Sequence, residues 1–140
     1  MRHIFLTLIL MISTSTYAGE VQLTLNEVRF DVELAVTQNE HSHGLMGRTA
    51  LATNQGMLFV YDTPQELSFW MKSTLIPLDI LFFDRDGKLQ KIFADTPPCI
   101  KEPCETYTPP SPAQYVLEVA AGTAKQLKLK TGDAFTIVRR

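Results

Sequence analysis

Short runs in which apolar and polar residues alternate recur along this chain, and this pattern restricts its fold more than any other feature. In residues 28–36, apolar side chains at every second position alternate with Arg29, Asp31 and Glu33. Residues 21–25 show the same alternation directly before that run. A period of two sends successive side chains to opposite faces of a strand. Both runs are therefore predicted to be half-buried β-strands.

Two brief helices are predicted among the strands. The first runs from Gln38 to about Met46, because Thr37 and Glu40 match a capping box in which each side chain bonds the other's backbone amide. Gly47 suits the end of this helix. The second runs from residue 124 to about 129, with Thr123 as its cap.

The remaining apolar runs are short and are separated by turn residues such as Gly, Pro, Asn and Asp. Many short strands with one or two short helices favour a mainly β domain, built as a β-sandwich or a barrel. The further predicted strands are residues 57–61, 67–72, 78–83, 89–94, 115–119 and 134–138.

The N-terminus has the three parts of a secretory signal peptide. Residues 2–3 are basic, residues 4–12 are almost wholly apolar, and Thr16 and Ala18 occupy the −3 and −1 positions of a cleavage site before Gly19. The apolar run is about half of the ~20 residues that a membrane-spanning helix needs. Residues 1–18 are therefore predicted to be a signal peptide.

The rest of the chain, residues 19–140, has the length of a single domain. We expect this domain to be periplasmic or secreted, with no membrane span after signal removal. The formal net charge is −2, and acidic and basic residues are interspersed without a basic stripe. We therefore expect no nucleic-acid partner.

The segment from 95 to 112 is predicted to be a long, stiff loop, because it holds six of the eight prolines. The same loop carries Cys99 and Cys104, the two cysteines of the chain. In an oxidising compartment a disulfide between them is the expected state. The alternative is a redox or metal-binding pair, but the spacing is not Cys-x-x-Cys.

Six short motifs follow one another along the chain. They are Gly44-Leu45-Met46-Gly47-Arg48, Gly56-Met57-Leu58-Phe59, Phe69-Trp70-Met71-Lys72-Ser73-Thr74, Pro77-Leu78-Asp79, the Pro98-Cys99…Pro103-Cys104 loop with Tyr107, and Tyr115-Val116-Leu117-Glu118…Gly122. In this order, from about Val21 to Val138, they resemble the family known as domain of unknown function 192. The resemblance implies a compact, jelly-roll-like β fold and does not supply an activity. One departure is Ser73, where the family more often has asparagine.

Asp79 is the most informative polar residue, because it lies within an apolar strand whose same face carries Leu81 and Phe83. A buried carboxylate needs a partner, since an unpaired buried charge is costly. Arg48 and Lys72 are the partners that the family motifs indicate. The pair is either a structural clamp or a ligand-facing pair in a pocket.

Trp70 and Lys72 are predicted to share one face of their strand, with Phe69 and Met71 on the other. Trp70 either packs in the core or forms an aromatic floor beside Lys72, which would suit a small anionic or sugar-like ligand. Met57 could line the same cavity, although packing in the core is the simpler explanation of a methionine there.

His41 and His43 raise the alternative of a copper site, with Met46 and other methionines as soft thioether ligands. On a helix, however, positions 41 and 43 point about 200° apart and could not chelate one ion together. No metal and no cofactor is therefore predicted.

The sequence favours an exported β domain that binds a small ligand or a partner, with a pocket lined by Arg48, Met57, Trp70, Lys72 and Asp79. One alternative is a hydrolytic enzyme that acts on an envelope polymer, with Asp79 as acid or base and Glu118 as the one candidate for a second carboxylate. Another alternative is a periplasmic copper-binding protein.

Processing at the predicted cleavage site can be tested by intact-mass analysis of the exported protein. We expect a mature N-terminus at Gly19, within a few residues, because the small side chains of Thr16 and Ala18 precede it. Retention of residues 1–18 in a membrane fraction would contradict this prediction.

Overall fold

The computed structural model describes residues 20–138, so the predicted signal peptide at 1–18 lies outside the described residues. Within that range the chain is mainly β, as predicted, and no helix there is long and apolar enough to cross a membrane. In chain order the elements are β1 (Glu20–Leu25), β2 (Val28–Ala35), α1 (Gln38–His43), β3 (Gln55–Gln65), β4 (Phe69–Trp70), β5 (Leu78–Phe83), β6 (Leu89–Thr96), β7 (Thr106–Tyr107), β8 (Ala113–Ala120), α2 (Thr123–Gln126) and β9 (Phe135–Val138).

Seven strands form one mixed sheet in the order β6-β5-β8-β3-β2-β1-β9, and β4 and β7 form a separate two-stranded sheet. Neighbours in the large sheet are antiparallel except for β2 and β3, which are parallel. A bridge between Lys88 and Ala134 links the turn before β6 to the segment before β9. The described strands do not close into a barrel.

Both faces of the large sheet are buried, which explains why β5 is apolar at almost every position. Leu78, Ile80 and Phe82 pack into one core cluster, whereas Leu81 and Phe83 pack into the other. The strands also approach one another closely at Gly56, where a Cβ atom would lie 2.5 Å from the backbone oxygen of Glu118. A larger residue at position 56 would push β3 and β8 apart.

Helix α1 begins as predicted but ends earlier. Thr37 accepts a bond from the Glu40 amide at 3.2 Å, and the Glu40 carboxylate accepts one from the Thr37 amide at 2.9 Å, so the capping box is confirmed. The helix ends at His43 and not at Met46, because Gly44 turns the backbone to a φ of 50°. Glycine adopts this left-handed conformation without the usual steric cost.

The proline-rich loop is more ordered than the sequence predicted, because it contains strand β7. Phe69 pairs with Tyr107 and Trp70 pairs with Thr106, so the predicted strand at 67–72 is reduced to two residues. The Cys99 amide also donates to the Met71 carbonyl at 3.2 Å. The loop is thereby fixed across the outside of the sheet as a cover.

Cys99 and Cys104 are joined by a disulfide within this cover. The bond closes a ring of a few residues next to the segment that carries Trp70 and Lys72. Because the ring is short, we attribute to it a local effect on the loop, on the order of 2 kcal/mol in the chain-entropy account.

Asp79 is fully buried, and its carboxylate accepts bonds from three backbone amides. Oδ1 accepts from Asp95 at 2.8 Å and from Gly122 at 3.3 Å, and Oδ2 accepts from Ala124 at 2.8 Å. Two of these amides lie at the start of α2, where helix N–H groups have no partner within the helix. Asp79 thus supplies the cap of α2 from a neighbouring strand.

The predicted cap of this helix was wrong. Gly122 occupies the cap position of α2, which starts at Thr123 and has no cap bond from its own side chain. The hydroxyl of Thr123 instead donates to the Ala120 carbonyl at 2.6 Å. Asp79 is distant in sequence, so local pattern could not reveal its role.

The predicted pair between Arg48 and Asp79 was also wrong. Asp79 is a structural clamp, but it holds backbone amides in place of a cation. Arg48 forms an ion pair with Glu33 on β2. Three converging amides can satisfy a buried carboxylate without a counter-charge, because each N–H group donates to the charged form.

We expect Asp79→Ala to destabilise the fold by about 3–5 kcal/mol, because three backbone amides around this fully buried side chain would lose their acceptor. Arg48→Ala should be mild, and the two effects should add to within about 0.5 kcal/mol because the residues share no bond. Urea unfolding of both single variants and the double variant measures this. A strongly non-additive double variant would show that the two side chains interact after all.

Candidate functional site

Two neighbouring clefts open on either side of the turn that follows α1. Ser42, His43, Gly44 and Met46 contribute to both. The larger one, about 700 Å³, we call the Arg48 cleft; it is completed by Glu33, Leu34, Asn39, Glu40, Arg48 and Met57. The smaller one, about 270 Å³, we call the Glu118 cleft; it is completed by Gln38, His41, Leu45, Phe59, Tyr61, Ser68, Phe69, Trp70, Lys72, Thr74 and Glu118.

Glu118 lies in the middle of the large sheet and points into the smaller cleft. It belongs to β8, where its direct neighbours across the sheet are Met57 on β3 and Ile80 on β5. Only 5% of the residue is exposed. Among residues 20–138, no side chain or amide forms a hydrogen bond or ion pair with its carboxyl group. A buried carboxyl group that lacks such a partner is rare in a native structure.

Burial raises the pKa of Glu118 from 4.5 to about 8. The cause is desolvation, which disfavours the charged form of a carboxyl group. The group is therefore protonated in much of the protein at neutral pH. A protonated carboxyl group has one O–H donor and can also accept, so it can bond either kind of polar partner.

Asp79 and Glu118 cannot act together as two carboxylates, because they project from opposite faces of the sheet. Ile80, and not Asp79, is the neighbour of Glu118 on β5, and Asp79 is paired with Val119. Successive side chains on a strand alternate between the faces. The arrangement in which Asp79 and Glu118 flank one bond of a substrate is therefore not formed.

Aromatic residues form the walls of the Glu118 cleft. Phe59 and Tyr61 come from β3, and Phe69 comes from β4; the rings of Phe59 and Phe69 pack edge to face with their centroids 4.9 Å apart. His41 of α1 stacks on Tyr61 at 4.2 Å. Burial, and secondly the charge of Glu118, raise the pKa of Tyr61 to about 12.

His41 is held in place by two backbone carbonyl groups. Its Nε2 atom lies 3.0 Å from the carbonyl oxygens of both Ala35 and Val60. Since a carbonyl oxygen only accepts, Nε2 carries the proton of this contact. His41 is therefore a fixed part of the wall, and its Nε2 atom is not open to a ligand.

Trp70 and Lys72 form the rim of the cleft. Trp70 is 48% exposed, so it is not a core residue, and the Lys72 ammonium lies 5.2 Å from its ring centroid. The same ammonium is 2.8 Å from a carboxylate oxygen of Glu102, which belongs to the disulfide loop. Bonding to Lys72 and the positive charge of Lys72 lower the pKa of Glu102. The charge of Lys72 is thus balanced at the rim.

Gly44 keeps the floor of the cleft open. A Cβ atom at this position would lie 3.2 Å from the ring of Phe59 and 3.9 Å from a carboxyl oxygen of Glu118. The residue also has a φ of 50°, which side chains other than those of Asn and Asp rarely adopt. Both the backbone and the space therefore require glycine here.

The five residues predicted to line one pocket are separated in the structure. Arg48 and Met57 line the Arg48 cleft, whereas Trp70 and Lys72 line the Glu118 cleft. Asp79 contributes to neither of these clefts. Met57 therefore does not line the cavity of Trp70 and Lys72, as it was predicted to do.

Sequence reasoning did not identify Glu118, His41 and Tyr61 as members of one site. The available signal was a glutamate inside the apolar run Val116-Leu117-Glu118-Val119, which marks a buried carboxyl group as clearly as the run around Asp79 does. What the sequence could not show was that backbone amides would satisfy Asp79, whereas Glu118 would face a cleft.

The described residues contain no group of three or more His, Cys, Asp or Glu side chains that could hold a metal ion. His43 is exposed and lies in both clefts, near Met46, but His41 bonds to backbone carbonyls. The Nε2 atom of His41 is therefore not available to a copper ion, and one of the two imidazoles of the copper alternative is lost as a ligand at that atom.

The fold and the site define a mainly β domain with an aromatic cleft that has a carboxyl group at its base. The chain belongs to the DUF192 family, described as Uncharacterized ACR, COG1430, whose sequence profile matches residues 21–137. The resemblance seen in the motifs is thus confirmed. No curated protein matches the chain.

Solved structures with the same fold share about a third of the sequence. A protein of unknown function from Novosphingobium aromaticivorans is 35% identical, with a TM-score of 0.78 and 84% of each chain covered. A Sinorhizobium meliloti protein described as a "putative transcription regulator" is 31% identical, with a TM-score of 0.81 over 89% of this chain and 98% of that one.

The departure at Ser73 has a backbone explanation. Ser73 has a φ of 55°, and its carbonyl accepts a bond from the Gly47 amide at 2.9 Å. Asparagine is several-fold enriched in this left-handed region. A family preference for asparagine at this position therefore needs no functional amide.

The raised pKa of Glu118 makes stability depend on pH in a defined direction. The folded state holds this proton more tightly than the unfolded state, so stability from this group is present below about pH 4.5 and is lost as pH rises to about 8. Glu118→Gln should remove that loss. Relative to wild type, the variant should gain on the order of 3–4 kcal/mol between pH 5 and pH 9.

Urea unfolding at pH 5, 7 and 9 checks this prediction. Glu66→Gln is the matched control, because it makes the same chemical change at an exposed position that lines neither cleft. A Glu118→Gln variant that is less stable than wild type by the same amount at every pH would contradict the assignment.

Proposed function

We propose that this protein is an exported domain that binds a small ligand in the Glu118 cleft. The observation that carries the proposal is the carboxyl group of Glu118, which is buried, points into the cleft and has no bonding partner in the described part of the chain. A ligand with a matching polar group would supply the missing bond.

The Glu118 carboxyl group lowers the stability of the fold, because it is buried without a partner in the described residues. Burying a carboxyl group without a partner destabilises a fold by a few kcal/mol, and an apolar residue between Met57 and Ile80 would avoid that cost. The other buried carboxylate, Asp79, has three amide partners. Strongly perturbed groups in clefts concentrate at functional sites, so the lack of partners at Glu118 supports binding.

The size and the walls of the cleft support a small ligand. Its volume of about 270 Å³ lies just below the roughly 300–1,000 Å³ of typical small-molecule pockets. Its walls are largely preformed, because His41 is fixed by two carbonyls and Trp70 is held by its pairing with Thr106. Preformed walls reduce the entropy lost on binding.

Export is supported by two features. The N-terminal pattern is that of a signal peptide, and the disulfide between Cys99 and Cys104 suits an oxidising compartment. Both features support a periplasmic or secreted location. The net charge of −2 supports a partner other than nucleic acid; the description of the Sinorhizobium protein concerns that protein.

A hydrolytic role fits the site less well than binding does. Glu118 has the raised pKa expected of a general acid. However, the carboxylate proposed as its partner, Asp79, is bonded to amides on the other face of the sheet. Glu118 alone can bind and orient a ligand, whereas glycoside hydrolysis commonly uses two carboxyl groups.

Trp70 provides a direct test, because it is the single tryptophan of the chain and lies at the rim of the cleft. In a fragment screen by NMR, we expect hits to shift the amide signals of residues around Phe59, Tyr61, Phe69 and Thr74. The same hits should change the fluorescence of Trp70. Trp70→Ala should weaken them roughly tenfold, because it removes an aromatic contact worth about 1–2 kcal/mol.

Glu66→Gln serves again as the control and should leave binding unchanged, since Glu66 is exposed and lines neither cleft. A screen whose hits all map to the Arg48 cleft, or that yields none in the Glu118 cleft, would refute the proposed site.

A further inference from the structure

We infer that the ligand of the Glu118 cleft carries a positively charged amine or ammonium group, bound between the Glu118 carboxylate and the aromatic walls. This inference rests on the proposed function and adds the chemical class of the ligand. It follows from three observations: the aromatic lining, the balance of charge around the cleft, and the scarcity of open donors within it.

The lining has the composition of a cation site. Phe59, Tyr61, Phe69 and Trp70 line a cleft at whose base lies one buried carboxyl group. Aromatic rings attract cations through the negative potential of their faces, and the effect strengthens where water is excluded. Trp70 already accepts one such contact, since the ammonium of Lys72 lies 5.2 Å from its ring centroid.

The balance of charge around the cleft favours a cation over an anion. At the rim, the charge of Lys72 is matched by Glu102. In the wall, His41 bonds through Nε2 to two carbonyl oxygens. The remaining titratable groups that line the cleft are Tyr61, exposed His43 and Glu118 itself. Glu118 is the one carboxyl group in this lining, and no cation among residues 20–138 forms an ion pair with it.

An anionic ligand would need hydrogen-bond donors, and two of the lining hydroxyl groups already donate to backbone carbonyls. Ser42 donates to the Gln38 carbonyl at 2.9 Å, and Thr74 donates to the Lys72 carbonyl at 3.3 Å. Ser68 accepts from the Thr108 hydroxyl at 2.9 Å, so its own O–H and that of Tyr61 are the lining hydroxyl groups that no described bond engages as donors. An anion beside Glu118 would therefore face a carboxyl group and few free donors, whereas an ammonium group brings three donors of its own.

The inference predicts a pH dependence with a definite sign. A cation binds the ionised form of Glu118, so binding must displace the proton that the free protein holds below about pH 8. Affinity should therefore rise with pH, approaching tenfold per unit between pH 6 and pH 8, and should level off above pH 8. A ligand that accepts a bond from protonated Glu118 would show the opposite trend.

Butylammonium, butyrate and butanol are suitable probes, because they have similar size and differ in charge. We expect butylammonium to bind the exported, processed protein at roughly millimolar concentration, as its few atoms allow, with NMR shifts in the Glu118 cleft. Its affinity should rise with pH as described and fall at least tenfold in Glu118→Gln, while Glu66→Gln should match wild type. Calorimetry at pH 7 in two buffers of different ionisation enthalpy should show close to one proton released.

The outcomes separate the inference from the proposed function. Preferential binding of butyrate or butanol in this cleft would overturn the cationic ligand and leave the small-ligand site intact. Binding of butylammonium that is insensitive to both pH and Glu118→Gln would also overturn it, as would failure of butylammonium to bind while library fragments do. If neither the probes nor the library fragments bind in the cleft, the proposed function fails as well.

Discussion

The structure depends on two buried carboxyl groups of the large sheet, one of which has hydrogen-bond partners whereas the other has none in the described residues. Asp79 on β5 accepts three backbone amides, one at the end of β6 and two at the start of α2, and so joins segments that are distant in sequence. Glu118 on the adjacent strand β8 projects from the opposite face and has no such partner in the described residues. The first group holds the end of β6 and the start of α2 together, because their backbone amides require acceptors. The second lies within an aromatic cleft, and its lack of a partner is the reason we propose that a ligand binds there.

The cover formed by β4, β7 and the disulfide loop supplies the rim of the cleft into which Glu118 points. Phe69 and Trp70 pair with β7, and Lys72 is held by Glu102, so the rim of the cleft is built from segments that support one another. The floor is set by the large sheet through Phe59 and Glu118. Rigid support from both layers keeps the cleft open while the hydrophobic core continues on either side of it. A site of this kind is preorganised, and little conformational entropy is lost when a ligand enters.

Much of the fold was predictable from local pattern, whereas the site was not. A short apolar run bounded by turn residues predicted β5 at 78–83 to the residue, and the capping box of Thr37 and Glu40 predicted the start of α1. The end of α1 was missed because Gly44 turns the chain before Gly47 does. The hydrogen-bond partners of a buried side chain can lie far away in the sequence. Asp79 bonds residues up to 45 positions away, which no local pattern encodes. For the same reason, the sequence placed Arg48, Met57, Trp70, Lys72 and Asp79 in one pocket that the structure divides.

The central claim is that Glu118 stays protonated at neutral pH because its surroundings provide no partner. A ¹³C NMR titration of the glutamate side-chain carboxyl carbons, with the Glu118 signal assigned by its loss in Glu118→Gln, measures that protonation directly. We predict that this signal titrates near pH 8 in the protein without added ligand. A titration midpoint between about 4 and 5, the range of an ordinary glutamate, would contradict the account, because Glu118 would then be solvated or paired and would need no ligand.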